Sequence, residues 1–137
     1  MSALAPTLQA FFTERLARQR AASPHTVAAY RDAFRLLLAF AAERTGVEPS
    51  RLDLGELDAP LVAAFLDHLE HERGNRVRTR NARLAAIHSL YRFAARRHPE
   101  HADLIARVLD IPPKRCERAL VTFLTAAELQ ALLAAPE

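Results

Sequence analysis

Apolar residues along this chain recur at spacings of three and four, and no alternating stretch of any length reads as a strand. Leu8, Phe11, Phe12 and Leu16 share one face of a helix predicted from Thr7 to Gln19. A second helix has an explicit start, with Ser23 as N-cap and Pro24 at the first helical position. Its stripe of Val27, Tyr30, Phe34, Leu37, Leu38 and Ala41 ends near Gly46. Residues 46–57, rich in Gly, Pro, Asp and Ser, read as a loop. Asp58 then caps a third helix with Pro60 in its first turn and Leu61, Phe65, Leu66 and Leu69 on its apolar side; Gly74 and Asn75 break it. Thr79 is the predicted cap of a fourth helix, which runs to about Arg97 before Pro99 and buries Leu84, Ile87, Leu90, Tyr91 and Ala94. A short fifth helix over 102–109 turns Leu104, Ile105 and Val108 inward.

The segment 110–121, with Pro112 and Pro113 and the cations Lys114, Arg115 and Arg118, reads as an exposed linker. Beyond it, Thr125 and Glu128 form a capping box for a last helix, Ala126 to Ala134. The apolar positions of that helix, Leu129, Leu132 and Leu133, have nothing after them to pack on. The expected organisation is a helical domain over 1–109, a linker over 110–121, and the first helix of a second unit over 122–137. The fold class is all-α, a compact bundle of four to five helices followed by a linker and a short terminal helix. At 137 residues the chain is long enough to bury a core without disulfides or metal.

Charge sharpens this picture. The formal net charge is only +3, but its distribution is uneven. Between Gly74 and Pro99 there are arginines at 76, 78, 80, 83, 92, 96 and 97 and no acidic residue. Lys114 is the only lysine of the chain; a preference for Arg over Lys also follows from base composition, but base composition does not account for a window without acids. Arg presents a planar, multidentate donor set suited to phosphates and guanine edges.

Stepping 100° per residue along the fourth helix places Asn81, Ala85, His88, Ser89, Arg92 and Arg96 opposite the apolar stripe, with Arg83 near its edge. Small side chains let a helix backbone approach a groove while the long donors reach outward. A helix of about 18 residues, roughly 27 Å long, fits the B-DNA major groove. Arg76, Arg78 and Arg80 stand at its start, beside the N-terminal amides. The competing reading is a solvated cationic face without a ligand. A membrane surface fits poorly, because the polar face lacks flanking Trp or Phe anchors.

The remaining chemistry is thin. His68 and His71 lie one turn apart with nothing to complete a metal site, and His98 and His101 flank Pro99 in a turn. Cys116 is the only cysteine, which excludes an internal disulfide and suits a reducing compartment. Glycines at 46, 55 and 74 cannot form a phosphate-cradling loop. No run approaches a membrane span and the start lacks a signal-peptide pattern, so a cytoplasmic protein without cofactor, metal or small-molecule substrate is expected.

Ser23-Pro24-His25-Thr26-x-x-x-Tyr30-x-x-x-Phe34, followed by Leu37 and Phe40, resembles the opening of the core-binding, SAM-like domain of tyrosine recombinases, the phage integrases. Thr79-x-Asn81-x-Arg83-Leu84-x-x-Ile87-x-Ser89-Leu90-Tyr91-Arg92-Phe93 resembles that domain's DNA-contacting helix. Pro113-Lys114-Arg115, then Phe123-Leu124-Thr125-x-x-Glu128-Leu129, resembles the interdomain linker and the first turns of the catalytic domain. The resemblance implies half of a clamp on double-stranded DNA, other recombinase protomers in a synaptic assembly, and a tyrosine nucleophile carried by a C-terminal domain. Tyr30 and Tyr91 lie on apolar helix faces and read as core, so no catalytic residue is expected in this chain. The expected DNA-binding set is Thr26, Arg76, Arg78, Thr79, Arg80, Asn81, Arg83, His88, Arg92, Arg96, Lys114 and Arg115. Where relatives often carry Arg this chain has His88, which implies a weaker or pH-sensitive contact. Two rival readings are a helical interaction module whose Arg face meets an acidic partner, and a stand-alone regulator that occupies a recombinase's site or protomer interface.

Overall fold

Ser23 opens the long second helix as its residue type dictates: its hydroxyl accepts the Thr26 N–H at 3.1 Å, and Pro24 needs no donor at that position. The computed structural model describes residues 3–16, 18 and 23–115, and in it five α-helices surround one apolar core. They are α1 (Leu4–Ala10), α2 (Pro24–Thr45), α3 (Ala59–His71), α4 (Val77–Arg97) and α5 (Ala102–Leu109). Gly46, at φ 75°, ends α2 in the left-handed conformation that a side chain would disfavour. Asp58 accepts the Leu61 N–H at 3.1 Å and caps α3. The predicted last helix, Cys116, and the predicted end of the first helix at Gln19 lie outside the described residues.

Two helix starts, one helical stretch and one core region differ from expectation. The first helix begins at Leu4, not Thr7, with Pro6 in the first turn where a missing N–H goes unused. It is held there because the Leu4 N–H donates to the Leu52 carbonyl at 3.0 Å and Ala3 forms an isolated antiparallel bridge with Asp53. It continues as a π-helical stretch over Phe11–Leu16. Phe11 and Phe12 meet edge-to-face at 5.7 Å there, and both pack on Phe34.

The fourth helix begins at Val77 with Arg76 in the cap position and no side-chain cap, so Thr79 lies inside the first turn rather than before it. Gly74, at φ 67°, and the bond from the Asn75 N–H to the Leu69 carbonyl turn the chain so tightly that α4 starts two residues later. The predicted loop at 46–57 contains 3₁₀ turns at Pro49–Arg51 and Leu54–Glu56, the second closed by a capping box between Asp53 and Glu56. Leu52, Leu54 and Leu57 from this segment are fully buried. Burying each contributes about 1.5–3 kcal/mol, so the segment is core and not mere connection.

Helix α4 is the common neighbour, packing against α1, α2, α3 and α5. Leu84, Ile87, Leu90, Tyr91 and Ala94 are all buried, as their spacing predicts. Tyr91 is buried completely, and its hydroxyl donates to the Leu57 carbonyl at 2.7 Å, tying α4 to the turn before α3. Tyr30 is half-buried, its ring stacked on Phe11 and edge-on to Phe34. Among the described residues no helix is long and apolar enough to cross a membrane, and no cluster of His, Cys, Asp or Glu could hold a metal ion.

Replacing Tyr91 by Phe keeps the ring but leaves the Leu57 carbonyl buried and unpaired. The expected loss is about 1–3 kcal/mol of unfolding free energy in a urea titration, with an unchanged m-value.

Candidate nucleic-acid interface

The polar half of α4 is set by its period: with the apolar stripe facing inward, Arg78, Ala85, Arg92 and Arg96 are exposed on the opposite side. Arg76 precedes them at the cap position and is also exposed. Among the described residues none of these four arginines has a carboxylate within ion-pair distance, and Ala82, Ala85 and Ser89 keep the surface between them low. Arg78 and Arg96 are separated by about 27 Å along the axis, nearly the length of the helix. The result is a ridge of uncompensated guanidinium groups on a rigid rod.

The other expected contacts divide into those beside this ridge and those the fold uses internally. Arg80 is a correction. It is only 6 % exposed, and its Nε lies 3.2 Å from the Glu70 carboxylate, so it is a buried ion pair of α3 and α4 rather than a surface donor. On the wheel it falls in the middle of the apolar stripe, and only an acidic partner allows it there. Asn81 is committed as well. Its Nδ2 donates to the Lys114 carbonyl at 2.8 Å and its Oδ1 accepts the Lys114 N–H at 2.9 Å. The Lys114 ammonium lies 2.8 Å from the same Glu70 carboxylate. Contact with that ammonium outweighs desolvation and, with the charges of Lys114, Arg80 and His71, keeps the Glu70 carboxyl below its ordinary pKa.

His88 is half-buried, with Nε2 3.1 Å from the Val108 carbonyl of α5. Burial pushes its pKa below the ordinary value, and the Arg92 charge adds to this against the opposing carbonyl. A neutral ring that donates to Val108 joins helices, so the expected pH-sensitive reach outward is replaced by a structural bond. Arg97 faces Glu14 at 3.8 Å across an exposed gap.

Thr26, Thr79 and Arg83 are brought together. They line a groove of about 350 Å³ between α2 and α4, together with Tyr30, Asp32 and small residues such as Ala33 and Ala86. Arg83 is held there because its Nη1 donates to Asn75 in the α3–α4 turn. Thr26 sits at the capped N-terminus of α2, its hydroxyl 3.1 Å from that of Ser23. Arg115 is exposed just past the Asn81 contact. The groove and the central part of Glu70 escaped the sequence reading. Glu70 lies outside the acid-free window and reaches α4 only through the α3–α4 turn, so no spacing rule marks it.

The chain matches the phage integrase N-terminal SAM-like domain over residues 10–98, more than half of its length. It is 57% identical over 136 residues to a Sinorhizobium fredii (strain NBRC 101917 / NGR234) protein named "Putative integrase/recombinase y4rC", covering 99% of this chain and 41% of that protein. A second protein of the same strain, "Putative integrase/recombinase y4rD", is 49% identical over 133 residues, covering 97% of this chain and 47% of its own length. The chain thus spans less than half the length of these curated relatives. No solved structure matches it with significance.

Because His88 is harder to protonate in the fold than in the unfolded chain, the unfolded state binds more protons below its ordinary value of 6.5. Its contribution therefore makes stability fall as pH drops through that value. His88→Gln should reduce the loss of urea midpoint between about pH 7 and about pH 5, and an undiminished loss would contradict the assignment. By the match over residues 10–98, the helical bundle belongs to the phage integrase family as its N-terminal SAM-like domain.

Proposed function

We propose that this bundle is the duplex-gripping module of a tyrosine recombinase or integrase, holding DNA without cutting it. The observation that carries the reading is the row of arginines 76, 78, 92 and 96, without carboxylate partners among the described residues, along and just before the helix whose other face is the core of the bundle. Donors on a packed helix meet phosphates without a backbone ordering cost, whereas the same residues on a loop would also lose backbone freedom.

The proposed contact surface comprises Arg76, Arg78, Arg92 and Arg96 on the ridge, with Thr26, Thr79 and Arg83 along the α2–α4 groove and Arg115 beyond. Thr26 stands where the amides of the first turn of α2 favour an anion. Base reading by His88 is modest, because its ring already holds the Val108 carbonyl. The residues 1–109 act as the gripping domain and 110–121 as the connection to a catalytic portion elsewhere in the full-length protein, where other protomers join a synaptic assembly. The core packing of both tyrosines supports a non-catalytic role: Tyr91 is buried, and the Tyr30 ring, at the edge of the α2–α4 groove, stacks on Phe11 and meets Phe34 edge-on.

About four neutralised phosphates give a slope of log affinity against log salt of about −3.6. Arg92→Ala with Arg96→Ala should flatten it by about 1.8 and weaken binding, read by fluorescence anisotropy on a short duplex. Arg107→Ala, which removes an exposed cation paired with Asp103 on α5, should leave the slope unchanged. No duplex binding by the unaltered chain at low salt would favour the acidic protein partner instead.

A further inference from the structure

One carboxylate in this fold holds two cations of very different standing. Glu70, on the last turn of α3, meets Arg80 at 3.2 Å and Lys114 at 2.8 Å. The Arg80 side chain is 7% exposed, the Lys114 side chain 46%. Arg80 is thus the enclosed counter-ion of Glu70, and Lys114 a second, accessible one. If Lys114 leaves, Glu70 and Arg80 still neutralise each other and no buried charge is orphaned.

The backbone at Lys114 is held by a different and equally separable device. Asn81 grips its N–H and C=O together, and both bonds lie at the surface, so parting them leaves no buried polar group without a partner. Pro112 and Pro113 precede this grip and carry no N–H, so nothing in that dipeptide can donate a ladder bond to α4. Segment 112–115 therefore lies as a strap across the first turns of α4, fastened at Asn81 and Glu70 alone among the described residues. Arg76 and Arg78, neither of which has a carboxylate partner among the described residues, stand at the same end of that helix.

We propose that the 112–115 strap is a latch opened by a bound polyanion, with the duplex of the functional reading above as its opener. A phosphate entering beside Arg76 and Arg78 attracts the Lys114 ammonium and is repelled by the Glu70 carboxylate. It therefore favours the arrangement in which Lys114 turns from Glu70 to phosphate and the Asn81 grip parts. Segment 112–115 then leaves the start of α4 only when that helix is occupied. Asn81 acts in this as a positioning residue for the chain that leaves the bundle, not as a base-reading contact.

Backbone amide exchange on the full chain tests this directly, because within 112–115 only Lys114 and Arg115 carry an N–H. In the free protein the Lys114 amide should be protected by Asn81. Saturation with a 20-base-pair duplex of about 50% G·C at low salt, with occupancy followed by anisotropy in the same samples, should accelerate its exchange about tenfold or more. Asn81→Ala, which also removes the Oδ1 that accepts from Arg80 Nη1 at 3.1 Å but leaves the Glu70–Arg80 pair in place, should show the fast rate without DNA and little further change with it. Duplex bound with Lys114 exchange unchanged or slowed would overturn the latch while leaving the gripping function standing. Absence of duplex binding would overturn both.

Discussion

Everything in this fold turns on the divided circumference of α4. Its inward half supplies Leu84, Ile87, Leu90, Tyr91 and Ala94 to the core and touches four other helices; its outward half carries arginines and no acid. A helix selected for stability alone would be arranged differently. Cations in the first turn oppose the helix dipole, at about 0.3–1 kcal/mol each, and Arg92 with Arg96 is a like-charged pair one turn apart. The tertiary packing absorbs these penalties. Because α4 is anchored on several sides, its exposed face is free to hold an electrostatic arrangement that the helix by itself disfavours.

The same division separates the arginines by role. Arg80, in the middle of the apolar stripe, is internalised by Glu70 and becomes part of the scaffold. Arg83 is turned into the α2–α4 groove by Asn75. Arg76, Arg78, Arg92 and Arg96 remain without carboxylate partners among the described residues. Counting the charges of the basic window would treat all of these alike, yet only the unpaired ones keep their full attraction for phosphate. A similar economy applies to Asn81 and His88, whose polar atoms look available on a helical wheel and are spent joining α4 to Lys114 and Val108.

Much of the helical framework was legible because local rules govern it. The Ser23-Pro24 start of α2, the Asp58 cap of α3, the span of α5 and the apolar stripe of α4 all follow from short-range spacing and cap chemistry. What the sequence concealed depends on contacts between distant residues. Leu52, Leu54 and Leu57 sit among turn-forming residues, and only their burial against the helices reveals them as core. Thr79 has the right chemistry for a cap but loses the position because Gly74 and Asn75 turn the chain early enough for α4 to start at Val77. The Glu70–Arg80 pair and the Asn81–Lys114 grip join residues 10 and 33 positions apart, beyond the reach of any helical repeat.

In the proposed function the exposed side of α4 meets the sugar–phosphate backbone while its buried arginine does not. Arginine Nε–H resonances, assigned residue by residue and followed as a short duplex is added, test this at the atoms concerned. Large shifts are expected at Arg78, Arg92 and Arg96, with a stationary Arg80 signal. Shifts confined to arginines outside α4, with those three unmoved at saturation, would contradict it.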